Sequence, residues 1–230
     1  MSETIKCFLP CRAGSQRIPH KNIKPFAGFE FGLIEVKLKQ LLSTKYLDEV
    51  VLSTDDEDII KYAKSLKHQK LRIHRRDSVL ASSNTSTDEL IAHALELIPN
   101  GHILWTHVTS PFINAQHYDI IINAYRDALM IGHDSLMTTT ELYSFLWQDG
   151  EPINYDRTIE KWPRTQTLKP IHEVNSGIFM AASNLYERFG DRIGKKPYLY
   201  SLDKLISHDI DWIEDFVLAE CMVREKLVVL

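Results

Sequence analysis

The chain has 230 residues, 44% of them hydrophobic and 25% charged, with a formal net charge of -4. A mildly acidic chain of ordinary composition suits a globular fold and argues against wholesale nucleic-acid binding, which needs a basic surface. Cys7, Cys11 and Cys221 form no CxxC pair, which excludes a disulfide framework and a zinc ribbon. There is no basic leader followed by an apolar run, and no apolar stretch of the roughly 20 residues a membrane span requires. The expectation is a cytoplasmic protein with no membrane partner.

Short apolar runs alternate with amphipathic stretches. Residues 5–10 read as a buried strand. Residues 33–42 have helical apolar spacing, at 33, 34, 38, 41 and 42. Residues 50–53 read as a strand, and 56–66 as a helix with Asp and Glu in its first turn. A short strand follows at 71–74. Ser86 opens a helix, and Glu89 three residues later completes a possible capping box. Residues 103–108 predict a strand, 115–130 a helix and 135–139 another strand. Residues 141–174 break the regularity with three prolines and two tryptophans. They read as an inserted arm whose aromatics need something to pack on. A strand at 177–182 and a helix at 212–227 close the chain. The whole of 1–230 reads as one domain of α/β class, with a doubly wound, mostly parallel sheet. Such sheets bind ligands beyond the carboxyl ends of their strands, so the loops there are where chemistry is expected.

The loop after the first strand contains Pro10, Arg12, Ala13, Gly14, Ser15, Arg17, Lys21 and Asn22. Glycine lets backbone amides turn inward, and the cations supply charge, so the loop suits a triphosphate. It matches neither the Walker loop nor the dinucleotide fingerprint. A solvated basic loop is the plain alternative. Asp209 and Asp211 stand one residue apart. In extended backbone both carboxylates share a face and suit Mg²⁺, which takes the rest of its shell from water and phosphates. Equally, Asp209 would cap a turn and Asp211 the following helix.

The run Pro10, Arg12, Gly14, Ser15, Ile18, Pro19, Lys21, Asn22, Ile23 resembles the signature loop of the acylneuraminate cytidylyltransferase family, the CMP-sialic acid and CMP-keto-deoxy-octulosonate synthetases. Cys11 stands where alanine is common. The resemblance extends over nearly the whole chain: 52–59, 76–89, Thr109-Ser110-Pro111, Asn175-Ser176-Gly177, Asp209-Ile210-Asp211 and Glu214-Asp215-Phe216. It implies a nucleotidyltransferase-like fold, a homodimer formed through the 141–174 arm, and transfer of CMP from CTP to the hydroxyl of an acidic sugar with release of pyrophosphate. Arg12 and Lys21 would hold the triphosphate, Asp209 and Asp211 the Mg²⁺, and Asn22 would face the nucleotide. Arg76, Ala81 and Ser82 fall where the family reads cytosine and ribose; an ion pair at the surface is the alternative for Arg76, and Arg75 leaves the register open by one residue. On the acceptor side the resemblance points to His107, Thr109, Ser110, Asn175 and, from the arm, Arg164, Gln166 and Lys169. A plain solvated charge is the alternative for Arg164 and Lys169.

Three departures touch the acceptor. His107 replaces the family's Gln, Ser83 its Asp, and His172-Glu173-Val174 an Arg-Pro pair. The expectation is therefore a variant acid: another nonulosonic acid, a keto-deoxy sugar acid, or a phosphonate. Formally Asp209-Ile210-Asp211 is also a DxD motif of metal-dependent glycosyltransferases, but that reading leaves the basic loop unexplained. A non-enzymatic nucleotide binder would not need to keep Arg12, Lys21, Asn22 and both aspartates together.

Overall fold

The computed structural model describes residues 4–82 and 84–230; Ser83 lies outside them. In chain order its elements are β1 (Ile5–Cys11), α1 (Gly32–Leu42), β2 (Glu49–Thr54), α2 (Glu57–Ser65), β3 (Leu71–Arg75), α3 (Thr87–Leu97), β4 (His102–Thr106) and α4 (Ala115–Met130). They continue with β5 (Ser135–Leu142), β6 (Trp147–Gln148), β7 (Glu151–Pro152), β8 (Ile171–Ala182), α5 (Ser183–Phe189), β9 (Pro197–Ser201) and α6 (Ile213–Arg224).

The main sheet has the order β3-β2-β1-β4-β8-β5-β9 among the described residues. Pairing is parallel throughout except at β8, which runs antiparallel to both β4 and β5. Side chains alternate across β1. Cys7, Leu9 and Cys11 join a core beneath α1, α2, α4 and α6, while Phe8 joins a smaller one beneath α3 and α5. The sheet is therefore covered on both sides: β4 is buried throughout, and β2 everywhere but at Glu49. Each fully buried Leu, Ile or Phe contributes about 1.5–3 kcal/mol.

Helix starts follow the sequence closely. The Ser86–Glu89 capping box is formed in full, and Asp56 caps α2 by accepting from the amides of Asp58 and Ile59. Each such cap is worth about 1 kcal/mol. At α6 the expectation fails. Trp212 is the N-cap residue, and the Asp215 carboxylate accepts from the amides of Asp211 and Trp212. Asp211 does not cap the helix, so its own carboxylate is left for other partners.

The arm is less irregular than its sequence suggests. β5 and β8 run on past the expected 139 and 177, pairing out to Leu142 and Ile171. Between them β6 and β7 make a small hairpin. The arm's aromatics pack mainly on one another: Phe145 lies edge-on to Tyr155 and Trp162, and Arg157 sits over the rings of Trp147 and Trp162. β4 ends at Thr106 rather than 108, which leaves His107 and Val108 in the loop beyond it. The α5 helix and the β9 edge strand have no counterpart in the sequence reading.

Candidate active site

From β1 the chain passes to β2 and β3 on one side of the sheet, then returns to place β4 on the other. The crevice between β1 and β4 is thus the topological switch point, the place where open α/β sheets take ligands. Arg12, Asp55, Arg76 and His107 each follow the carboxyl end of one of the four parallel strands. A cavity of about 210 Å³ opens there, lined by Pro10, Arg12, Ser15, Lys21, Asn22, His107 and Thr109 among others.

The β1 loop is a built structure rather than a solvated one. Ile18 is 1% exposed and anchors the loop in the core between the two cations Arg17 and Lys21. Gly14 has φ +70°, a left-handed conformation that glycine adopts without strain. The Asn22 side chain donates to the Arg12 carbonyl (3.1 Å) and closes the loop on itself. The Ala13 amide donates to Asp55 Oδ1 (2.8 Å), so it is engaged inside the protein rather than free for a phosphate. Arg12 takes no ion pair among the described residues, and its cation stays available.

Opposite stands the segment 209–211. Ile210 is fully buried, which turns the flanking Asp209 and Asp211 the other way, as alternation requires. Its amide donates to the Thr109 carbonyl (2.9 Å) and its carbonyl accepts from Lys21 Nζ (2.7 Å). Lys21 lies 3.5 Å from Asp211 Oδ1, and Arg17 pairs with Asp211 Oδ2 at 2.8 Å. Both Arg17 and Asp211 are about half exposed, so that pair is worth at most about 1 kcal/mol and gives way readily to a phosphate. Arg17 also lies over the Trp212 ring at 4.8 Å; it is a site cation that the motif comparison had not singled out.

Asp209 Oδ1 is buried with no hydrogen-bond partner among the described residues. An orphaned buried carboxylate oxygen is costly unless something is missing from around it. Burial pushes the carboxyl above its ordinary value, the Thr109 hydroxyl opposes that, and neighbouring Asp211 pushes it further up. A divalent cation would relieve both effects. Among the described residues no cluster of three or more His, Cys, Asp or Glu could hold a metal by itself. Two carboxylates beside a phosphate cradle nevertheless fit Mg²⁺, which needs few protein ligands.

Arg76, not Arg75, is the inward residue, although it does not line the site cavity. It is 4% exposed and donates to Ser53 Oγ (3.1 Å) and the Ser53 carbonyl (2.5 Å), whereas exposed Arg75 pairs with Glu57. Ala81 ends a short 3₁₀ turn, and Ser82 just beyond it is exposed, with its hydroxyl accepting from the Asn84 amide.

On the acceptor side the assigned residues divide. His107 lines the cavity, and its Nε2 accepts from the indole N–H of Trp105 (3.1 Å). Burial pushes the imidazole down to about 4, and Arg192, Lys37 and Lys21 add to that. It is therefore neutral near pH 7, with its proton on Nδ1. Thr109 also lines the cavity. Ser110 does not: it is 1% exposed, and its carbonyl accepts from Lys37. Asn175 is turned to structure. Its Oδ1 accepts from Thr138 Oγ1 (2.7 Å) and the Gly177 amide (3.2 Å), and its Nδ2 donates to Thr140 Oγ1 (3.1 Å). These bonds stitch the irregularity where β8 slips against β5. Arg164, Gln166 and Lys169 are exposed on the arm, and among the described residues none is bonded to the β1 loop.

Lys37 is the residue the sequence concealed. It is fully buried in α1 and donates to the carbonyls of Ser110 (2.7 Å) and Ile113 (3.2 Å) and to Tyr118 Oη (2.9 Å). The three ammonium protons meet three acceptors, and burial pulls the amine down to about 7. Tyr118 continues to Thr106, whose hydroxyl donates to the Gly177 carbonyl (2.7 Å). This chain fixes the turn that carries Thr109 to Asp209.

Comparison with known proteins identifies the family. The chain is 29% identical over 231 residues to a pseudaminic acid cytidylyltransferase of Campylobacter jejuni, covering 95% of each chain. It is 30% identical to an N-acylneuraminate cytidylyltransferase of Oncorhynchus mykiss, over 90% of this chain and 48% of that protein. Its fold is similar to a CMP:2-keto-3-deoxy-manno-octonic acid synthetase solved with CTP, with a TM-score of 0.66 at 14% identity over 97% and 99% of the two chains. A 4-diphosphocytidyl-2C-methyl-D-erythritol synthase from Anaerococcus prevotii superposes with a TM-score of 0.65 at 17% identity, over 96% and 99%. The sequence profile of the cytidylyltransferases matches residues 7–144, more than half of the sequence, and the chain belongs to the cytidylyltransferase family, a family of nucleotidyltransferase enzymes.

Proposed function

We propose that this enzyme transfers the cytidylyl group of CTP to a hydroxyl of a keto sugar acid, a nonulosonic or keto-deoxy sugar, and releases pyrophosphate. The observation that carries the reading is the meeting, at the β1/β4 switch point, of a cationic loop with a buried aspartate oxygen that has no hydrogen-bond partner among the described residues. The pseudaminic acid, sialic acid and keto-deoxy-octonic acid names of similar proteins support the acceptor class.

The acceptor oxygen attacks the α-phosphorus, the new O–P bond forms as the bond to the β-phosphate oxygen breaks, and the hydroxyl proton is lost. Such transfer is governed by positioning and charge neutralisation. Arg12 and Lys21, with Arg17 swung from Asp211, hold the triphosphate and offset charge on the leaving pyrophosphate. Asp209 and Asp211 would hold Mg²⁺, which supplies Lewis acidity at the phosphate oxygens when bound. Asn22, Arg76, Ala81 and Ser82 serve the nucleoside, and neutral His107 and Thr109 face the acceptor. Arg164, Gln166 and Lys169 would reach an active site only from the arm of a second copy. A homodimer joined through the arm accounts for them and for exposed Trp147 and Trp162.

Pyrophosphate release tests the reading, with CTP and Mg²⁺ against pseudaminic acid, N-acetylneuraminic acid, 3-deoxy-octulosonic acid and a phosphonate. Release with one of the sugar acids is expected. Release only with the phosphonate would move the enzyme to a non-sugar acceptor. Transfer only from a ready-made sugar nucleotide would make it a glycosyltransferase.

A further inference from the structure

The arm's cations are exposed and, among the described residues, none is bonded to the β1 loop, so within one chain an acidic acceptor calls for another cation. Arg192 is the candidate: it does not line the cavity itself but adjoins it through Trp105, whose ring lies next to that of His107. It follows α5 in the loop that leads to β9. Its guanidinium lies 3.6 Å from the centroid of the Phe179 ring and 5.1 Å from that of Trp105. Trp105 and Phe179 are register partners in β4 and β8, and both are almost fully buried beneath it.

Two further observations separate Arg192 from an ordinary surface arginine. It takes no ion pair among the described residues. The adjacent Asp191 is turned onto backbone instead, its Oδ1 accepting from the amides of Arg192 (2.6 Å) and Ile193 (3.4 Å). Burial also pulls the guanidinium below the ordinary arginine value, only partly offset by Tyr186 and Asp191. Moreover, Trp105 organises two groups at once. Its face carries Arg192, and its N–H holds His107 Nε2, which leaves His107 with a donor at Nδ1. His107 follows the end of β4 and is held to the Trp105 ring by that bond, while it lines the cavity shared with Lys21 and Thr109. Among the charges that depress the His107 imidazole, Arg192 ranks first.

We infer that Arg192, lying over Phe179 and Trp105 and joined through Trp105 to His107, is the specificity-determining cation that receives the carboxylate of the acceptor. The inference rests on the acceptor being a keto sugar acid, as proposed above. A guanidinium held flat on aromatic rings keeps its N–H edge free, and that planar fork matches a carboxylate in a way a lysine does not. The nucleotide is held across the crevice by other residues, so the effect should fall on the acceptor alone.

The test measures steady-state pyrophosphate release by the wild type, Arg192→Gln and Arg192→Lys, with CTP and pseudaminic acid or its C1 methyl ester. For Arg192→Gln the KM for the acid is expected to rise about tenfold or more, the loss of one charge-assisted hydrogen bond. The KM for CTP should stay within about twofold, the ester should be affected little, and Arg192→Lys should recover part of the loss. An equal loss for acid and ester would overturn the inference and leave Arg192 as a cover for Trp105 and Phe179. A rise confined to the CTP KM would overturn it as well. Should the wild type turn over none of the sugar acids, the acceptor reading itself fails and the inference falls with it. That outcome differs visibly from an active wild type whose preference for acid over ester Arg192→Gln leaves intact.

Discussion

The crevice loop and the arm are built differently. On the nucleotide side, the β1 loop is anchored by buried Ile18, closed by Asn22 on the Arg12 carbonyl, and tied through Lys21 to the carbonyl of Ile210. Outside the crevice, the arm holds Arg164, Gln166 and Lys169 exposed, and its aromatics pack mainly on each other. A rigid cradle suits a ligand, CTP, that is the same in every turnover. A protruding arm suits a surface completed by something outside the chain.

The sharpest way to break this contrast is at its rigid end. Asp209→Asn should lower turnover by on the order of 10³-fold, the several kcal/mol that a charge-neutralising ion contributes. Mg²⁺ titration of the residual rate should show the loss to be one of metal response. An unchanged Mg²⁺ dependence would remove Asp209 from the metal site.

At the other end, Trp147→Ala with Trp162→Ala should convert a dimer to a monomer in light scattering and raise the acceptor KM roughly tenfold, the cost of losing interface anchors. A monomeric wild type would mean that the arm serves its own chain only.

Asn175 lies between the two regions. Asn175→Ala should cost about 1–3 kcal/mol in denaturant unfolding, because it strands Thr138, Thr140 and the Gly177 amide. A raised acceptor KM with no loss of stability would instead restore the sugar contact that the family motif implies.

The smallest effect is a slope. Lys37 is pulled down to about 7 in the fold, against an ordinary lysine value of 10.5. Between those values the unfolded chain binds the extra proton, so this group makes stability rise with pH from about 7 upward. Thermal melts at pH 6.5 and 9 should show the wild type gaining on Lys37→Met over that interval. A constant difference would mean that Lys37 keeps its proton throughout.

Much of the fold was legible in the sequence because its signals are local. A buried strand running into a loop of glycine and cations marks β1, and Ser86 with Glu89 marks the start of α3. What escaped the sequence depends on distant partners. Lys37 reads as a solvated helix residue until Ser110, Ile113 and Tyr118, more than 70 positions away, close around it. The extension of β5 and β8 was hidden because threonines and glutamates replace the apolar alternation there. β9 is a short edge strand opened by a proline, and α5 spans two turns, too little for a helical period to emerge. His107 lines the cavity, but its neutral state follows from Trp105 and from its burial, neither of which a sequence displays.

The antiparallel run of β5 and β8 has a consequence for how such enzymes diversify. Leu142 and Ile171 are paired neighbours, so the chain leaves the sheet and re-enters it through a doorway one strand wide. Whatever lies between them can be lengthened, shortened or exchanged at a modest entropic cost that grows only with the logarithm of its length. The register of β1 through β4, and the nucleotide crevice with it, is untouched by such exchange. Grafting the arm of one relative onto the sheet of another should be a workable route to new assemblies around an unchanged CTP cradle.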